Sequence, residues 1–217
     1  MRWLLTVGGA GAQAELFAAI VQKLIPYVVR GEATLFINVG DHEKVWKNLC
    51  KKVKNLGSLA TTHFNNFAEV ASLASAALTE PISGVHAFCD TDIFSAVYAT
   101  NVLMRCSDVL VTKPGELSFY PVPKLMIHRV GGHEAWGAIR AAELGDGTYE
   151  IDETPEVLAM TESMQADRSI ICDMCDNILK ANAQGIYNGA YEVVKLAVEG
   201  IEGIESIESI EHLSPKG

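Results

Sequence analysis

Three glycine-containing turns carry the residues of this chain best suited to gripping an anion. They are Gly8-Gly9-Ala10-Gly11, followed by Ala12; Pro114-Gly115; and Gly131-Gly132. A backbone without side chains lets a phosphate oxygen reach the peptide N–H groups. A helix starting at such a turn adds free N–H groups and the positive end of its dipole. One such turn says little, because glycine is common there for packing alone. The neighbours say more. Lys113 stands directly before Pro114 and would set a cation beside a diphosphate. Glu116 follows Gly115, while His133 and Glu134 follow Gly132, where they would meet a phosphate oxygen or a sugar hydroxyl. His128 and Arg129 lie just upstream, and one of them is expected to face the same cleft.

Other chemistries compete for some of these residues. Residues 9–14, GAGAQA, fit the G-x-G-x-x-A dinucleotide fingerprint, with Asp41 placed to take a ribose hydroxyl. That makes an NAD(P)-binding oxidoreductase domain the main alternative, although the interval from Ala14 to Asp41 is long and the fingerprint ignores the other two turns. Cys172 and Cys175 have no second pair to complete a four-ligand zinc site, so they read as core thiols and no metal site is expected. Lys44, Lys47, Lys51 and Lys54 form a basic stripe near Trp46. It reads as a solvated helix face, with an anionic membrane surface as the alternative. The sequence offers no Ser-His-Asp arrangement, no HExxH, no GxxxxGK[ST] and no convincing general base.

The elements that must position these residues follow from hydrophobic periodicity. Residues 2–7 read as a buried strand, and 13–30 as a helix with Leu16, Ile20, Leu24 and Val28 on one face. "EATLFINVG" is a second strand, and 42–54 an amphipathic helix. Residues 55–84 offer one short helix (67–78) and otherwise resemble an insertion. A strand at 84–88 leads into a long helix capped by Asp90 or Thr91. Further strands are expected at 108–112 and 124–129, then a helix opened by the last glycine turn, and finally one long helix over about 162–198. Strands that are apolar throughout and alternate with helices predict a Rossmann-like α/β fold, a parallel sheet with helices on both faces. In such a sheet the three glycine turns share one edge, beyond the carboxyl ends of the strands, where ligands bind. Residues 1–198 read as one domain. Residues 199–217, with isoleucine at every third position from Ile201 to Ile210, read as a low-complexity tail.

Composition limits the partners. The 217 residues carry a formal net charge of −10, which repels duplex nucleic acid. Five scattered cysteines suit free thiols in a reducing compartment. The apolar runs are far shorter than the ~18 residues a membrane helix needs. A cytoplasmic location is expected, with peripheral membrane contact as an option.

Taken together, "TVGGAGAQAEL", "HAF", "SDVLVTKPGEL" and "VGGHEAWGAIRAAELGDG" resemble the C-terminal, donor-binding half of GT-B fold glycosyltransferases. The likeness covers about residues 1–147 and is strongest to family 28, the lipid II-forming N-acetylglucosaminyltransferases and galactolipid synthases. The resemblance implies a UDP-sugar donor and no further cofactor. Gly8, Gly9, Ala10, Gly11 and Ala12 would line the diphosphate, and Phe88 and Cys89 would hold the base, largely through backbone groups. Lys113, Gly115 and Glu116 would meet phosphates and sugar, with Gly132, His133 and Glu134 along the sugar and diphosphate. Family members carry a ribose-binding Glu about two turns into the helix after the Pro/Ser-Gly turn. Here Pro121 of "FYPVP" takes that place, and Glu116 is the substitute. The acceptor site and catalytic base are expected in an N-terminal domain or partner subunit outside this chain. A UDP-sugar 2-epimerase and a non-catalytic nucleotide-sugar-binding module share the same outline.

Overall fold

In the computed structural model, six strands form one parallel sheet in the order β3-β4-β2-β1-β5-β6: β1 Arg2–Thr6, β2 Thr34–Asn38, β3 Ala60–Phe64, β4 Gly84–Cys89, β5 Val109–Thr112 and β6 Lys124–Met126. The structure describes residues 1–7 and 13–199, so the expectations for Gly8, Gly9, Ala10, Gly11 and Ala12 and for most of the tail lie outside the described residues. The helices are α1 Ala14–Val29, α2 Glu43–Lys52, α3 Leu56–Leu59, α4 Phe67–Ala76, α5 Ile93–Met104, α6 Ala135–Leu144, α7 Thr154–Ala166 and α8 Arg168–Ala183. A further helical segment covers 189–199. By its internal contacts the chain divides into Met1–Ile178 and Leu179–Gly217, and everything below concerns the first unit.

The fold is Rossmann-like, and strand alternation explains its two cores. Trp3, Leu5 and Val7 point to one face, where they pack with Phe17, Ile20 and Leu24 of α1, Leu49 of α2, and Val157 and Met164 of α7. Leu4 points to the other, among Phe36, Phe88, Val70 and Ala74 of α4, and Ala99 and Leu103 of α5. Every residue of β2 is buried, which is why its sequence shows no polar alternation.

Four expectations need correction. Cys172 and Cys175 of α8 are exposed thiols, not core groups. Residues 55–84 are not a simple insertion, because Ala60–Phe64 adds the edge strand β3 outside β4. Its Thr61 and Thr62 face solvent, so it lacks the apolar run that marks the inner strands. The N-cap of α5 is Asp92, not Asp90 or Thr91: its carboxylate accepts from the N–H groups of Phe94 and Ser95. The single helix over 162–198 is interrupted. Asp167 adopts an extended conformation that ends α7, and its carboxylate then accepts from Ser169 N at the start of α8.

Candidate functional site

The sheet has a switch point. From β1 the chain runs to β2 and β4 on one side, and β5 lies on the other side of β1. Beyond the carboxyl ends of these strands the chain cannot fill the space between diverging connections, so a crevice opens there. It encloses about 760 Å³ of space continuous with solvent. Thr6, Val7 and Gln13 line it from either side of the first glycine turn, and Asn38, Gly40, Asp41 and His42 line it from the end of β2. Ile93, Val97 and Thr100 of α5 form an apolar-to-polar wall. Thr112, Lys113, Gly115, Glu116 and Leu117 face the cleft from the end of β5.

Asn38 is the brace of this cleft. It is buried at the end of β2, and its amide donates to Thr100 Oγ1 at 2.8 Å and to Ala96 O at 3.2 Å. Its Oδ1 accepts from Gly40 N at 2.9 Å. The two walls are therefore tied together by one side chain. Asp41 and His42, both exposed, contact one another at the rim, with His42 Nε2 3.3 Å from Asp41 Oδ1.

On the other side Lys113 reaches across and donates to Glu134 Oε1. Glu134 is buried, and its Oε2 accepts from Val130 N at 2.9 Å and Gly131 N at 3.1 Å. Burial works against its charge, but Lys113 and the two N–H groups outweigh that and hold its carboxyl at about 2. Gly137 of α6 allows this corner to close: a Cβ there would lie 2.6 Å from Pro114 O and 2.5 Å from Ser118 Oγ. With only a hydrogen at that position, α6 sits directly on the Pro114-Gly115 turn. A Cβ on Gly115 would sit in ordinary contact with the pair, 3.4 Å from Lys113 Nζ and 3.5 Å from Glu134 Oε1.

The structure thus brings Lys113, Gly115 and Glu116 into the cleft and leaves other candidates out. Phe88 is 1% exposed and its carbonyl accepts from Val39 N, while the carbonyl of Cys89 accepts from Asn65 N. Their carbonyls serve the sheet and its continuation, and the Cys89 thiol, raised by burial, is a core group. Glu134 serves Lys113 and its own turn instead of facing a ligand. Gly132 and His133 are exposed outside the cleft, with the His133 ring folded over Gly131. The segment after Gly115 is a 3-10 turn, Glu116–Phe119, which ends before Pro121. Of His128 and Arg129 neither lines the cleft; Gln13 Nε2 donates to the His128 carbonyl instead.

Sequence reasoning missed Asn38, Thr100, Ile93 and Val97. Asn38 left a signal, as the one amide in an otherwise apolar strand. The α5 residues left none, because only the packing of α5 against β2 and β1 turns that helix edge toward the crevice.

A family model described as "Domain of unknown function (DUF6938)" matches residues 1–198. The chain belongs to this family. No curated protein matches it. Among the described residues, no helix is long and apolar enough to cross a membrane.

Proposed function

We propose that the switch-point cleft binds a nucleotide through its diphosphate, and that the preferred ligand is a UDP-sugar. The observation that carries the reading is the placement of Lys113 and Gly115 across the crevice from Gln13, the first described residue after the glycine turn. A cation past the end of β5 then faces the start of α1, where two phosphates would lie. Glu116, exposed on the same wall, is the hydroxyl acceptor in this reading. The apolar edge Ile93 and Val97 of α5 is the surface for a base. In a glycosyltransferase, backbone dipoles and Lys113 would stabilise the departing diphosphate. The acceptor and the base would come from another domain or subunit, in line with the GT-B resemblance.

Asp41 favours a second reading. Its carboxylate lines the cleft at the end of β2, the place from which a dinucleotide ribose is held. The two readings separate in a thermal-shift comparison of the purified chain with UDP, UDP-N-acetylglucosamine, NAD and NADP at equal concentration. The uridine ligands are expected to raise the melting temperature most. A larger rise with NAD or NADP would replace the transferase reading with the oxidoreductase one, and no rise with any of the four would remove the nucleotide reading.

A further inference from the structure

Past β6, two chain segments meet at the outer rim of the sheet. A parallel bridge pairs Ile127 with Ile151, and Ile151 N donates to Met126 O at 3.1 Å. His128 follows Ile127, while Glu150 and Asp152 flank Ile151. In an extended segment the residues on either side of a given position share a face, and here that face is the one His128 occupies. His128 Nδ1 lies 2.8 Å from Asp152 Oδ1 and 3.6 Å from Glu150 Oε1. All three donor atoms fall within 4.8 Å of one another. Donors held at ~2.1 Å around a tetrahedral or octahedral dication stand roughly 3.0–3.4 Å apart, so the observed separations bracket the required ones.

The surroundings suit a ligand set. Arg129 braces Glu150 from behind: its backbone N donates to Oε1 at 2.7 Å and its Nη1 to Oε2 at 2.8 Å. Outer hydrogen bonds of this kind orient a ligating carboxylate. The His128 and Asp152 side chains are 57% and 65% exposed, so positions remain open for water or an oxyanion.

We propose that His128, Glu150 and Asp152 bind one first-row transition-metal dication in the Mn²⁺ to Zn²⁺ series. One imidazole nitrogen and two carboxylate oxygens fall short of the six to eight oxygens calcium takes. They also lack the thiolates of a structural zinc site. Binding puts an Nδ1–metal bond in place of the Nδ1–Asp152 contact; a neutral ring then carries its one proton on Nε2, and a doubly protonated ring releases one proton to solvent. Through the Gln13–His128 hydrogen bond the ion would stand beside the wall of the cleft, but its binding does not require a nucleotide.

The test uses the full chain and Mn²⁺, because the exposed thiols of Cys172 and Cys175 would compete for zinc. Titration followed by electron paramagnetic resonance is expected to show one Mn²⁺ per chain, with a nitrogen hyperfine coupling from a single imidazole. Asp152→Asn should weaken binding roughly tenfold or more, and His128→Gln should remove the nitrogen coupling. Both side chains are largely exposed, so melting temperatures without metal should match the parent's. Absence of binding at millimolar Mn²⁺ would overturn the proposal. So would bound Mn²⁺ without a nitrogen coupling, or an affinity unchanged in both variants, which would put the ion elsewhere. A simple ion cluster of these three side chains predicts one of those outcomes.

Discussion

Two lysine–carboxylate pairs, one just past the end of β5 and one at the start of β6, differ in exposure. Lys124 and Asp146 are both 0% exposed, 2.9 Å apart. The Lys113 and Glu134 side chains are 33% and 7% exposed. The Lys124 ammonium also donates to Tyr120 O at 2.8 Å and Val122 O at 2.9 Å, so its three protons each have an acceptor. Burial pushes it below its ordinary value, and Asp146 pulls back. This pair staples the start of β6 to the loop before it and to the turn after α6, where Lys124 N also donates to Asp146 O. It has no face toward solvent and nothing to offer a ligand. At Lys113 the carboxylate is buried and the ammonium looks into the cleft. The same chemistry therefore anchors the fold in one place and presents a charge in the other, and exposure of the cation separates the two.

Removing the buried cation should have the largest effect. Lys124→Ala removes the buried ammonium and its three hydrogen bonds from this site, and breaking a buried pair of this kind costs about 3–5 kcal/mol. Denaturant unfolding should show that loss, while the residual folded protein binds UDP with parental affinity. A loss below about 1 kcal/mol would mean that water reaches the pair and that the contrast is false.

Acid should act on the other pair. Glu134 titrates at about 2 in the fold, below its ordinary value of 4.5. Its charge therefore stabilises the native state fully above pH 4.5, and that contribution is lost as pH falls toward 2. On the order of 2–3 kcal/mol is involved. Unfolding free energies measured across this window should fall more steeply for the parent than for Glu134→Gln, with the two curves converging at the acid end. Parallel curves would show that Lys113 and the turn N–H groups do not hold the carboxylate charged.

Lys113→Ala should do least to stability, roughly 1 kcal/mol, because its ammonium is partly solvated and the Val130 and Gly131 N–H groups still serve Glu134. Its effect should appear in binding. A lost charge-assisted contact of about 1.5–3 kcal/mol predicts UDP affinity at least tenfold weaker by calorimetry. Unchanged affinity with a stability loss as large as that of Lys124→Ala would make the two pairs alike.

Periodicity was enough to read the inner sheet and its helices, because each buried strand is apolar on both faces and each flanking helix carries one apolar stripe. The types that could contact an anion were also legible, since Lys113, Gly115 and Glu116 stand at a strand end. Sequence could not say which glycine turns share a wall, because that depends on strand order, and the parallel order β4-β2-β1-β5 arises from long-range pairing. Nor could it tell that Glu134 turns inward to Lys113 while Asp41 stays exposed at the cleft rim, or that Phe88 is core. A carboxylate or a ring has the same local signature whether packing buries it or leaves it at the rim. The edge strand β3 and the break at Asp167 escaped for a related reason. Each is set by a partner distant in sequence or by a single backbone angle, and neither leaves an apolar period behind.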